Sequence, residues 1–113
     1  IPLMRYTKVL LMQAEALNEL DGTSEAVPLI KQVRNVHGDM PAMTGSTKAA
    51  VTAQIEHERI IEFALENFRW YDLRRWGKLK DAMQAAGRDG FNDANTSFYP
   101  VPLTEINSNN LVN

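Results

Sequence analysis

The chain has 113 residues, 12 Lys+Arg against 14 Asp+Glu, a formal net charge of −2 and no cysteine. That length suits one small domain, the near-neutral and interspersed charge gives no overall field for nucleic acid, and the missing thiols exclude disulfides and thiolate metal sites. No apolar run is long enough to span a bilayer, and IPLMRY lacks the charged-then-apolar layout of a signal peptide, so any targeting or anchoring element is expected outside this sequence.

Residues 3–20 are rich in strong helix formers, and Pro2 is placed to begin a helix on which Tyr6, Leu10, Ala14 and Leu17 recur at helical spacing. Asp21-Gly22 reads as a turn. Thr23 or Ser24 then caps a second helix running to about His37, with Ala26, Ile30, Val33 and His37 on one face and Pro28 near the first turn, where it loses at most one hydrogen bond. Two helices joined so tightly form an antiparallel hairpin that resembles one tetratricopeptide unit. Arrays of such units need about three or more copies, so neighbours are expected elsewhere in a longer parent. Residues 38–46 (GDMPAMTGS) are a loop by composition.

From Thr47 to Glu66 there is no glycine or proline, and Ser46 or Thr47 can cap the start, which predicts one long central helix. At 100° per residue Val51, Ile55, Ile61, Ala64, Leu65 and Phe68 share a face, while Ile60 and Phe63 point to another side. Between them Arg59, Glu62 and Glu66 fall on one stripe, the spacing of a partly buried structural ion network. Asn67 fits a left-handed closing position, residues 69–76 have room for about two more turns before Gly77, and residues 78–86 form a short helix ending at Gly87. Beyond Arg88 the periodicity disappears. Phe98-Tyr99-Pro-Val-Pro must run extended and Thr104 can cap a single turn, so Phe98, Tyr99, Val101, Leu103 and Ile106 are expected to lie across helices formed earlier.

The stretch ERIIEFALENFRWYDLRRWG resembles the signature near the C-terminal end of the SusD/RagB family of bacterial outer-membrane nutrient-binding lipoproteins, commonly written ER..EfafEg.Rw.DLrRWg. Three more blocks match in order: RYTKVLLMQAEALNE, AVPLIKQVR, and YPVPLTEI followed by residues 109–113. Asn67 stands where the family usually has glycine, Thr7 where alanine is common, and no proline follows Asn109. The resemblance implies that residues 1–113 are the C-terminal helical region of a larger, non-enzymatic, surface-exposed protein. Such a protein captures glycans, or in some members peptides, and delivers them to a TonB-dependent SusC-like transporter. It is held at the outer membrane by a lipid on its N-terminal part, and its ligand-binding residues are largely contributed by chain outside this region.

The residues themselves offer few rivals to that reading. His57-Glu58 opens like HExxH, but Ile61 stands where the second zinc-binding histidine must be, which leaves an ordinary surface histidine and no metal site. Glu58, Glu62 and Glu66 have spacings at which paired carboxylates cleave glycosides, yet the interleaved Arg59 holds a carboxylate ionised and suits a structural pair better than a general acid. There is no nucleophile elbow, glycine-rich phosphate loop or cysteine nucleophile, so neither an enzyme nor a cofactor is expected. Residues 69–80 interleave arginine, lysine and aromatics, the composition of a nucleic-acid or sugar platform, of which the net charge disfavours the first, with Trp70 and Trp76 the ligand-contact candidates. The same spacing, with Leu73 three residues from each tryptophan, also describes a short amphipathic helix docked on a core, and that reading is favoured. The fold expected is therefore all-α: a tetratricopeptide-like hairpin, a central helix with short helices after it, and an irregular tail packed over them. A generic helical-repeat module for protein–protein interaction is the alternative that composition and periodicity alone support.

Overall fold

A computed structural model describes residues 4–93 and 99–109. Six helices and no strand occur among them: α1 (Tyr6–Glu19), α2 (Thr23–Asn35), α3 (Lys48–Glu62), α4 (Phe68–Arg75), α5 (Leu79–Ala85) and α6 (Leu103–Ser108). The chain divides into two compact units, Ile1–Arg69 and Trp70–Asn113, with the division falling inside α4.

In the first unit α1 and α2 form the hairpin. Asp21 takes a left-handed backbone conformation (φ 63°), and the Gly22 N–H donates back to the Leu17 carbonyl at 2.8 Å, closing α1. A Cβ on Gly22 would stand 3.1 Å from that carbonyl, so a larger residue there would have to push the Leu17 backbone by a few tenths of an ångström. The N-cap position of α2 is thus Gly22 itself, not Thr23 or Ser24, because the Thr23 hydroxyl donates to Asn18 Oδ1 at 2.8 Å. Pro28 lies inside α2. The helix α1 starts at Tyr6, with Arg5 as its extended N-cap residue, later than expected; Pro2 lies outside the described residues. Tyr6 and His37 are exposed, and the inward stripes are Leu10, Leu11 and Ala14 on α1 and Ala26, Ile30 and Val33 on α2.

Thr47 caps α3 by accepting from the Ala50 N–H at 3.2 Å. Asn18 near the end of α1 bonds Lys48 and Thr52 at the start of α3, while Arg5 before α1 bonds Glu62 at its end, so the two helices run antiparallel. Ala14, Ala26, Ile30, Val51 and Ile55 make one part of the core, and Leu10, Leu11, Val33 and Phe63 the other, with Leu29 touching both.

The long central helix expected from the sequence is shorter. It ends at Glu62, and Phe63 begins a turn in which Leu65 (φ 65°) and Asn67 (φ 64°) are both left-handed. Phe63 thereby swings into the core and meets Phe68 edge to face at 5.5 Å. The expected apolar face is corrected with it: Val51 and Ile55 are buried, but Ile61, Ala64 and Leu65 are exposed, and Glu58 and Arg59 take the inward positions.

In the second unit α4 and α5 are short, and each ends at a left-handed glycine, Gly77 and Gly87. Leu73 and Leu79 are buried. Gln84 on α5 donates to the Phe91 carbonyl at 2.8 Å, and Lys80 bonds Asp93 at 3.1 Å, holding the segment after Arg88. The helix α6 is capped by Pro102, not Thr104, and carries no buried residue. Tyr99, Val101 and Leu103 are exposed rather than laid over a core, Ile106 is half-buried, and Phe98 lies outside the described residues. Two prolines within four residues fix the backbone as extended and keep those side chains from forming a helical stripe.

Candidate functional site

Three clusters gather the polar and aromatic residues that sequence reasoning singles out, two in the first unit and one in the second. The first is built on Arg5. Its extended position before α1 projects the guanidinium across the end of α3, where Nη2 and Nε bond the Glu66 carboxylate at 2.7 and 3.3 Å. Nη1 bonds Glu62 Oε1 at 2.9 Å, and Nη2 also reaches the Glu62 carbonyl at 2.8 Å. The Glu66 and Glu62 bonds raise the guanidinium pKa further, so the cation is permanent. Burial pushes the Glu62 carboxyl up, but bonds from His37 (2.7 Å), Arg5 and Thr7 outweigh it and hold the group below its usual value. Arg59 and Arg5 both set their guanidinium groups against the Phe63 ring, 5.1 and 5.3 Å from its centroid. Glu62 and Glu66 therefore meet on Arg5, a residue 57 and 61 positions away in sequence.

The second cluster pairs buried Arg34 of α2 with buried Glu58 of α3, and Gln54 donates to the same carboxylate. Arg34 also donates to the Pro41 carbonyl, which ties the 38–46 loop down between the two helices. Met43 packs on the core beneath it. A cleft lies on each side of this loop, about 570 Å³ against α2 and about 470 Å³ against α3, where exposed His57 contributes to the wall. Among the described residues no three His, Cys, Asp or Glu side chains gather in a way that would hold a metal ion.

The third cluster surrounds Trp70. Its indole N–H donates to the Tyr99 hydroxyl at 2.8 Å, its ring meets Phe91 edge to face at 6.0 Å, and Arg74 covers the Tyr99 ring at 4.3 Å. Trp70 thus joins α4 to the segment after α5 and to the tail. Trp76 is half-buried, with the Arg75 guanidinium 4.7 Å above its ring, and Arg75 in turn bonds buried Asp72 at 3.0 Å. Both tryptophans have their aromatic faces or polar edges engaged by neighbours within the unit.

Sequence reasoning missed Arg5, Arg34 and Asn18. The signal for Arg34 and Glu58 was present: Arg34 falls one turn after Ile30, and Glu58 one turn after Ile55, so complementary charges sit on two otherwise apolar faces. Asn18 is 1% exposed and bonds Lys48, Thr52 and Thr23, joining all three helices; nothing local distinguishes it from the polar residues beside it.

The arrangement suits holding a fold. Each of the three carboxylates, Glu58, Glu62 and Glu66, accepts from an arginine. Comparison with known proteins identifies the family. The family model described as "SusD family" matches residues 1–113. "SusD-like protein P2" of Formosa agariphila is 37% identical over 126 aligned positions, covering 97% of this chain and 24% of that protein. "SusD-like protein P38" of the same organism is 35% identical over 92 residues, 74% of this chain and 18% of that protein, and "SusD-like protein P25" is 34% identical over 114, 93% and 21%. The chain spans about a fifth of the length of these curated relatives. No solved structure matches it at a significant level. Because the family match runs from the Arg5 that clasps α3 through Trp70 to the tail, and the relatives share more than a third of their aligned residues with it, this chain belongs to the SusD family.

Proposed function

We propose that these 113 residues are the C-terminal helical scaffold of a nutrient-binding protein of the bacterial cell surface. Its ligand is a glycan or, as in some family members, a peptide, which it passes to a TonB-dependent SusC-like transporter. The protein is not an enzyme in this reading: it captures and delivers. It is anchored at the outer membrane by a lipid on its N-terminal part, in keeping with the observation that no described helix is long and apolar enough to cross a membrane. The observation that carries the scaffold role is the inward use of the family signature. Glu58, Glu62, Glu66, Arg59 and Trp70 all spend their polar or aromatic capacity on partners within their own unit. Arg59, Glu62 and Glu66 accordingly act with Arg5 as a structural ion network, and Trp70 and Trp76 as anchors of the second unit.

The test is a calorimetric screen of the full-length polypeptide against purified oligosaccharides and peptides, together with co-purification of its SusC-like transporter. Saturable binding of one ligand class and recovery of the transporter are expected. A full-length protein that binds no nutrient but captures an unrelated protein would replace this reading with that of a helical-repeat adaptor.

A further inference from the structure

Val27, Lys31 and Asn35 stand at successive turns of α2, and all three line the cleft of about 570 Å³ between that helix and the 38–46 loop. Val27 and Met43 also pack on the core, so they give the cleft an apolar floor. The opposite wall is the loop itself, and it is fixed at three points. Gly38 turns the chain back in a left-handed conformation (φ 86°), and Arg34 donates to the Pro41 carbonyl. Gly45 (φ 88°) then lies so close to α3 that a Cβ on it would stand 3.0 Å from the Cβ of Ala50. The cleft is therefore formed before anything enters it, and its volume falls within the roughly 300–1,000 Å³ of small-molecule sites.

The polar groups around the cleft have bonding capacity left. Lys31, Asn35 and Ser46 line it, and their side chains have no hydrogen-bond or ion-pair partner among the described residues. Arg34 stands in the same wall, but its guanidinium is already paired with Glu58. Among the described residues no aspartate or glutamate lines the cleft, and Asp39 of the loop is exposed and outside the lining. One available cation, an amide and a hydroxyl thus surround an apolar floor. A single negative charge matches that set, a doubly charged phosphate exceeds it, and a bare inorganic anion would leave Val27 and Met43 uncovered. We propose that this cleft binds a small organic carboxylate with an apolar body, the carboxylate on the Lys31 ammonium and the Asn35 amide and the body on Val27 and Met43. The site does not rest on the nutrient-binding reading, and it involves neither tryptophan. Lys31 is exposed and the contacts are few, so the affinity expected is roughly millimolar.

The experiment is reductive methylation of lysines in the full-length polypeptide, read residue by residue by mass spectrometry, with N-acetyl-leucine as the probe. At several times the dissociation constant the probe is expected to slow methylation of Lys31 by roughly threefold or more. Lys48, which Asp21 holds, is the internal control and should react unchanged. N-acetyl-leucinamide lacks the charge and N-acetylglycine lacks the apolar body, so each should protect Lys31 less. Asn35→Asp, at an exposed position at the end of α2, places a like charge in the cleft and should abolish the protection while Lys48 still reacts as before. A tripeptide ending in leucine that protects at lower concentration than N-acetyl-leucine would assign the carboxylate to a peptide end, and equal protection would assign it to a free acid. No protection by any probe, or equal protection by the amide, would overturn the proposal. Protection that survives Asn35→Asp would overturn it too, because the carboxylate would then bind elsewhere.

Discussion

At the scale of single residues, the first unit is held by a few polar side chains that reach between helices. Arg5 is the most connected of them, yet its side chain remains 32% exposed while that of Glu62 is only 6% exposed. Removing the cation leaves a nearly buried carboxylate without its guanidinium, and the solvent access of Arg5 moderates the loss. Arg5→Ala is therefore expected to lower unfolding free energy by about 2 kcal/mol in urea titration. The same network sets an acid limit. Because the Glu62 carboxyl is held below its ordinary value of 4.5, its contribution to stability is complete above that pH and is lost as pH falls through the lower folded value. Stability measured from pH 6 downward should decline below about pH 4.5, and the decline should be shallower in Glu62→Gln. An unchanged slope in that variant would assign the acid transition to other groups.

At the scale of elements, the 38–46 loop depends on a buried pair. Arg34 holds Glu58 and the Pro41 carbonyl together, so Arg34→Met leaves a buried carboxylate unpaired and frees the loop. A loss on the order of 3 kcal/mol is expected, with faster amide exchange over residues 38–46. The helices themselves were legible: hydrophobic spacing gave α1 and α2, the absence of glycine and proline gave α3, and Gly77 and Gly87 marked the ends of α4 and α5. The end of α3 was not legible. Ala64, Leu65 and Glu66 are good helix formers, and what stops the helix is the tertiary demand that Phe63 enter the core and Glu66 reach Arg5. The inward face of α3 was misjudged for a related reason. Buried Glu58 is paired with Arg34 from another helix and buried Arg59 lies against the Phe63 ring that the turn after α3 carries inward, and periodicity of apolar residues carries no record of either.

At the scale of the whole molecule, the two units divide the family signature between them: its glutamates brace the helices of the first, and its tryptophans tie together the short elements of the second. Among the described residues Tyr99 joins the tail to α4, through the bond from Trp70 and the Arg74 guanidinium over its ring, while Val101 and Leu103 are exposed. The candidate contacts Trp70 and Trp76 were legible as a cluster of aromatics with arginine, but composition could not say whether their faces meet solvent or each other's neighbours. If the chain is scaffold, its tryptophans serve the fold and not a ligand. Titration of the 113-residue protein with a panel of oligosaccharides, followed by tryptophan fluorescence, is the direct measurement. The account predicts no saturable change at micromolar concentrations; saturation in that range, lost on Trp70→Ala or Trp76→Ala while the far-ultraviolet helical spectrum is retained, would place the ligand site in this region and contradict it.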